Sequence, residues 1–272
     1  MYYITFFTHL PLKNLVVNII PRIVQSANIP YHTPIGPIPN IRIKVGIYED
    51  VDTNLSIPII CDRALMAEKS ISKDFKTNVA FYTDELNQKQ LAQRQMENDF
   101  KSAISNREFK VYYQPKYDVN TENIVGAEAL VRWQKLDGTL ISPGAFIPLF
   151  ESDGLVVHLD EYVFESVCQF QKERMENKLP MVPISVNLSR ASIHFSDVVD
   201  RYVDIVNQKQ IPFECVPIEL TESATLYSEK ILGITDQLVN AGFTLHMDDF
   251  GSGYSSLTSL NELNFSTVKL DK

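Results

Sequence analysis

From Phe109 onward, short apolar runs alternate with longer amphipathic ones, and this rhythm constrains the fold more than any other feature of the 272-residue sequence. Phe109–Tyr117 and Ile124–Trp133 read as two closely spaced strands. A helix is expected at about Leu159–Asn177, where Leu159, Val163, Val167 and Phe170 share one face. There follow strand Ile184–Leu188, helix Asp197–Gln208, strand Val216–Thr221 and helix Ser228–Ala241, which stops at Gly242, a common C-terminal cap. Strand Phe243–Met247, a Gly/Ser loop, a short helix and strand Thr267–Asp271 complete the series. Repeated strand–helix units imply a parallel sheet, and their number favours a closed barrel or a doubly wound sheet.

The first hundred residues read differently. Pro30, Pro34, Pro37 and Pro39, with Gly36 among them, predict an extended loop rather than a regular element. Ile41–Tyr48 alternates apolar and polar residues as a strand does, and a helix is expected around Cys61–Ser70. Asp84 to Ile104 carries no glycine or proline, and Ala92, Met96, Phe100 and Ile104 recur at spacing four. That is an amphipathic helix and the natural interdomain connector.

Composition narrows the function. No run approaches the roughly 18 apolar residues of a membrane span. Leu15 to Val24, the most apolar early stretch, is interrupted by Asn18 and Pro21. The three cysteines, Cys61, Cys168 and Cys215, are odd in number and far apart, which fits a reducing cytoplasm. With 25 Lys+Arg against 34 Asp+Glu, the net charge of −9 argues against binding a DNA or RNA polymer by bulk charge. An anionic substrate would need local cations, most simply metal ions held by carboxylates.

Such carboxylates stand where chemistry is expected, near the C-terminal ends of strands. Glu128 lies inside AEALVRW, Asn187 inside ISVNLS, Glu219 inside PIELTES, Asp248–Asp249 close FTLHMDD, and Lys269 and Asp271 sit in TVKLDK. An acid in an apolar strand is costly to bury unless it is paired or holds a metal. One such residue is most often a salt-bridged structural acid, whereas four successive strands each delivering an acid or amide point to a hard cation, Mg²⁺ or Mn²⁺. The adjacent pair Asp248–Asp249 suits one carboxylate bridging two ions while the other binds one. Competing motifs are weaker. GSGYSS lacks the last glycine of a dinucleotide turn and follows two acids, and no Walker-type loop occurs. His9, His32, His158, His194 and His246 lack metal-ligand spacing, and His246 reads as a packed neighbour of the Asp pair.

The blocks YYQPK (112–116), EALVRW (128–133), SVNLS (185–189), ELTES (219–223), DDFGSGYSSL (248–257) and VKLDK (268–272) resemble the signature blocks of the EAL domain, the bacterial cyclic-di-GMP phosphodiesterase family. The resemblance implies an α/β fold, a TIM-like (β/α) barrel with an antiparallel first strand. It also implies that Glu128, Asn187, Glu219 and Asp248 hold one metal, with Asp248 bridging to a second ion also held by Asp249. By the same resemblance Glu222 steadies the Asp-rich loop, Lys269 orients the attacking water, and Asp271 is a nearby site acid. Gln114 and Arg132 resemble substrate contacts, Arg132 to phosphate.

Upstream, IRIKVGIY and CDRALMAEK loosely resemble the C-terminal half of a GGDEF (diguanylate cyclase) domain, although no GG-[DE]-EF loop occurs. The expected organisation is a partial, degenerate GGDEF-like α+β segment at 1–88, a connector helix at 89–102 and an EAL domain at 103–272. The family's last two strands are missing from that span, so the chain is expected to be truncated and, taken alone, inactive or nearly so. The expected function of the parent is hydrolysis of cyclic-di-GMP to linear pGpG by a cytoplasmic homodimer using two Mg²⁺ or Mn²⁺ ions, with membrane tethering of a longer parent left open. The alternative is a non-catalytic cyclic-di-GMP-binding or dimerising regulatory module.

Overall fold

The computed structural model describes residues 2–6, 22, 31–33, 36–38, 43–49, 51–72, 76–225, 229–251 and 264–270. It divides into two compact units, Met1–Gln95 and Met96–Lys272.

In the first unit, β1 (Tyr2–Phe6) pairs in parallel with β4 (Ile43–Ile47), which pairs in parallel with β5 (Val79–Phe81). Helix α1 (Ile57–Ser70) packs on β4, and its backbone comes so close that a Cβ on Gly46 would lie 2.0 Å from the Ala64 carbonyl oxygen. Only glycine fits there. Where the proline-rich stretch predicts a loop, β2 (Tyr31–Thr33) and β3 (Gly36–Ile38) form a short antiparallel pair. Thr33, Gly36 and Ile38 each precede a proline, which pushes all three toward extended backbone. Helix α2 (Asp84–Ser105) matches the expected amphipathic stretch and contains the division between the units.

The second unit is built on one sheet. β6 (Phe109–Tyr117) runs antiparallel to β7 (Ile124–Gln134), and the short β8 (Leu140–Ile141) pairs with β7. Helices α3 (Pro143–Asp153) and α4 (Val156–Glu176) lead to β9 (Ile184–Asn187). The turn α5 (Arg190–Ile193) and helix α6 (Val198–Lys209) lead to β10 (Ile218–Thr221), and α7 (Glu229–Ala241) leads to β11 (Leu245–Phe250) and β12 (Phe265–Leu270). The strand order is β12-β11-β10-β9-β7-β6, with every neighbouring pair from β7 to β12 parallel. No helix of the described residues is long and apolar enough to cross a membrane.

The central strands alternate in chemistry. Ala127, Ala129 and Trp133 of β7, Ile184 and Val186 of β9, Ile218 and Leu220 of β10, and Leu245 of β11 are buried in one apolar core with residues of the surrounding helices. Trp133 is packed by Phe109, Phe146 and Phe150 at ring-centroid distances of 5.0–5.8 Å, and its indole N–H donates to Glu108 at 3.0 Å. The intervening residues carry the polar groups and face away from this core.

One buried amide ties the two central strands in place. Gln171 of α4 donates from Nε2 to the carbonyls of Val182 and Cys215, each at 2.8 Å, just ahead of β9 and β10. Gln171→Leu would strand both carbonyls, so it should cost about 2–3 kcal/mol of stability, seen as a lower urea midpoint. An unchanged midpoint would show that the strands are held without this clamp.

Candidate functional site

Because β-strand side chains alternate, the polar residues of six strands converge. Gln114 of β6 pairs with Glu128 of β7, Glu128 with Ser185 of β9, and Glu219 of β10 with both Asn187 and His246 of its neighbours. Oxygens of Glu128, Glu219 and Asp248 all lie within 4.8 Å of one another. Lys269 of β12 places its ammonium among them, 2.7 Å from Glu128 Oε2, 2.7 Å from Glu219 Oε2 and 3.0 Å from Asp248 Oδ2. Asn187 donates from Nδ2 to Glu128 Oε1 at 3.1 Å.

The structure thus brings together five of the residues expected from the sequence: Glu128, Asn187, Glu219, Asp248 and Lys269. Asp249 does not simply close a strand after Asp248, because β11 continues to Phe250. Asp249 has a left-handed φ of 55°, its N–H donates to Asp248 Oδ1 at 2.9 Å, and the pairing with β12 shifts register between Met247 and Phe250. That irregularity breaks the two-residue period where the two acids meet. Glu222 is buried in a 3₁₀ turn and accepts the Gly251 N–H at 2.7 Å, at the start of the Gly/Ser loop. Gln114 stands exposed opposite Glu128, and Arg132 donates to the Val131 carbonyl at 2.8 Å. Asp271 and residues 252–263 lie outside the described residues.

A cavity of about 620 Å³ reaches Asn187 and is lined also by Arg132, Glu151, Asp160, His194 and Thr221. Asp160 accepts the Ser189 N–H at 3.0 Å and the Ser192 hydroxyl at 2.7 Å. Burial pushes its pKa up to about 6 despite these bonds.

Sequence reasoning missed three contributors: Asp160, Ser185 and Lys116. Lys116 donates to Glu219 Oε1 and to Ser185 Oγ, both at 2.7 Å. The signal for it was a basic residue at an inward position of an otherwise legible strand, inside the quoted block YYQPK. Signals for Asp160 and Ser185 were weaker, since each is an ordinary polar residue in its element.

Glu219 is fully buried. Burial alone would raise its pKa, but the His246 ring 3.6 Å away, the bonds from Lys116 and Lys269 and the adjacent Ser185 hydroxyl hold it well below the carboxylate range. Burial likewise opposes the charge on Lys269, yet Glu128, Glu219 and Asp248 hold its pKa above the usual lysine value. Three carboxylates this close cannot all stay ionised without a cation among them. The ammonium of Lys269 stands in for one, and the oxygen-only donor set fits Mg²⁺ or Mn²⁺.

The EAL domain family pattern matches residues 97–272. The chain is 35% identical over 170 residues to the probable cyclic di-GMP phosphodiesterase PdeB of Escherichia coli, covering 62% of this chain and 33% of PdeB. It is 30% identical over 232 residues to MucR of Pseudomonas aeruginosa, named a bifunctional diguanylate cyclase/cyclic di-GMP phosphodiesterase, covering 85% of this chain and 33% of MucR. The chain therefore spans about a third of the length of these relatives. A solved structure of the PaMucR phosphodiesterase in complex with c-di-GMP superposes with a TM-score of 0.62 at 32% identity, covering 65% of this chain and 72% of that one.

The electrostatics make an observable prediction in the presence of chelator. Glu219 has a depressed folded-state pKa, so its contribution is complete above about pH 5 and is lost as pH falls below the ordinary carboxylate range. Lys269 has a raised one, so its contribution persists through neutral pH and is lost only above the ordinary lysine range. Wild-type urea midpoints should therefore be flat with respect to this cluster between about pH 7 and 5. Lys269→Met should be less stable at neutral pH and should gain stability on acidification, as crowded carboxylates take up protons. Parallel pH profiles for the two proteins would remove Lys269 from this role.

Proposed function

The chain belongs to the EAL domain family, and we propose that its parent protein hydrolyses one phosphodiester bond of cyclic-di-GMP to give linear pGpG. The observation that carries this reading is the convergence of Glu128, Glu219 and Asp248 within 4.8 Å beside a cavity of about 620 Å³.

In this reading Glu128, Asn187, Glu219 and Asp248 hold one Mg²⁺ or Mn²⁺ ion, and Asp248 and Asp249 contribute to a second. When bound, such a pair supplies Lewis-acid charge at the phosphate and activates water. The attacking water forms a new P–O bond as the P–O3′ bond breaks, and the proton that the water gives up is balanced by the one that the 3′ oxygen takes up to leave as a hydroxyl. Lys269 now spends its three donors on Glu128, Glu219 and Asp248. Were cations to take those oxygens, the donors of Lys269 would be free to orient the attacking water. Glu222 steadies the loop that follows Asp249 through the Gly251 N–H. Arg132 lines the cavity as a phosphate contact, and Gln114, opposite Glu128, is a further substrate contact.

The same reading includes a homodimer formed through the EAL domain, a cytoplasmic location, and Asp271 as a site acid. It also takes residues 1–88 as a degenerate GGDEF-like segment. In support of the last point, the alignment with MucR covers 85% of the chain, and so extends upstream of residue 97.

Incubated with cyclic-di-GMP, the parent protein should release pGpG only with Mg²⁺ or Mn²⁺, Ca²⁺, with its longer and looser coordination, should inhibit, and the chain taken alone should be inactive or nearly so. Glu128→Ala should cost at least about a hundredfold in rate through loss of metal. Turnover that survives excess chelator would sink the metal mechanism. Binding of cyclic-di-GMP without cleavage would favour a receptor instead.

A further inference from the structure

The geometry points to Lys116 as a positioning residue of this centre: it occupies one oxygen of Glu219 so that only the other is presented to a cation. The inference deepens the metal-dependent reading above and rests on it. Lys116 comes from β6, the edge strand next to the β7 that carries Glu128, and its register partner on β7 is Gly126. A Cβ at Gly126 would lie 3.9 Å from Lys116 Cδ, so the lysine stem crosses β7 over the one residue without a side chain. Its ammonium then reaches Ser185 of β9 and Glu219 of β10, 2.7 Å from each. Ser185 is itself anchored by donating to the Ala127 carbonyl at 3.1 Å.

The division of labour at Glu219 is clean. Oε1 accepts from Lys116, while Oε2 accepts from Lys269, whose ammonium also touches Glu128 and Asp248. The His246 ring nitrogen Nδ1 lies 3.6 Å from Oε1, too far for a hydrogen bond, and leaves Lys116 as the donor on that side among the described residues. A carboxylate held in this way offers a cation one oxygen in a fixed direction and cannot swing to chelate it with both. Lys116 also carries a positive charge one carboxylate away from the cation position, and so lowers the affinity of the site.

That charge supplies a test with a sign that a merely structural ion pair would not produce. Mn²⁺ binding to the full chain is measured from the paramagnetic resonance signal of the free ion, for the wild type and for Lys116→Gln, Lys116→Met and Lys116→Arg, with Glu128→Ala as the site control. Removing the charge should tighten Mn²⁺ binding by about fivefold or more in Lys116→Gln and Lys116→Met, while Lys116→Arg stays within about twofold of the wild type. Lys116→Gln keeps a donor for Oε1, so it carries the test if Lys116→Met fails to fold. Weaker or unchanged Mn²⁺ binding by Lys116→Gln would overturn the assignment and make Lys116 a strand clamp only. A wild type that binds no Mn²⁺, or binds it equally well in Glu128→Ala, would overturn the metal reading itself and this assignment with it.

Discussion

Three carboxylates share a space less than 5 Å across, and the rest of the second unit is arranged to make that tolerable. Charges that close repel by several kcal/mol at a protein-like dielectric, so an unattended cluster would protonate or pull apart. Two lysines from opposite ends of the sheet prevent this. Lys269 arrives from β12 and Lys116 from β6, and both end on Glu219, the most deeply buried acid of the three. A buried carboxylate flanked by two ammonium groups is an expensive way to build a strand. The expense makes sense if the acid must stay ionised and aimed.

The sheet achieves this with one simple device. Each central strand sends apolar residues toward the helices and polar residues to the other face, so the core and the site are two sides of the same alternation. Ile218 and Leu220 bury against the helices while Glu219 between them meets both lysines. A one-residue slip of β10 would put the acid in the hydrophobic core and two aliphatic side chains in the site. The core therefore enforces the register on which the site depends, and Gln171 reinforces it by bonding just ahead of β9 and β10.

This alternation is also what made the site legible in the sequence. An acid flanked by aliphatic residues is visible in PIEL or AEAL without coordinates, and four such strands in series identify a cluster. Local patterning also revealed α2 and the strand–helix order from Phe109. It was blind where the decisive contact is distant in sequence. Lys116 stands 103 residues from Glu219, and nothing in the alternation of β6 says which strand its long stem will reach. Helix α3 was not among the expected elements: Pro143 opens it, where proline is well placed, but Pro148 lies inside it, where proline is ordinarily disfavoured. The extension of β11 through both aspartates escaped because the left-handed Asp249 breaks the period from which strands are read.

Sequence distance also shapes how the site must form. Glu128 and Lys269 are 141 residues apart, and their ion pair closes only when β12 joins β11 at the end of the sheet. Until then, Glu128, Glu219 and Asp248 approach one another with Lys116 as the single lysine at hand among the described residues, and Lys116 neutralises Glu219 alone. Pairing of β7, β9, β10 and β11 thus works against a growing repulsion that β12 relieves in one step. A cation in the cluster would relieve it equally, without β12. Docking of β12 and loading of a cation are therefore two answers to the same electrostatic demand, and because Lys269 and a cation would neutralise the same oxygens, each lessens the need for the other.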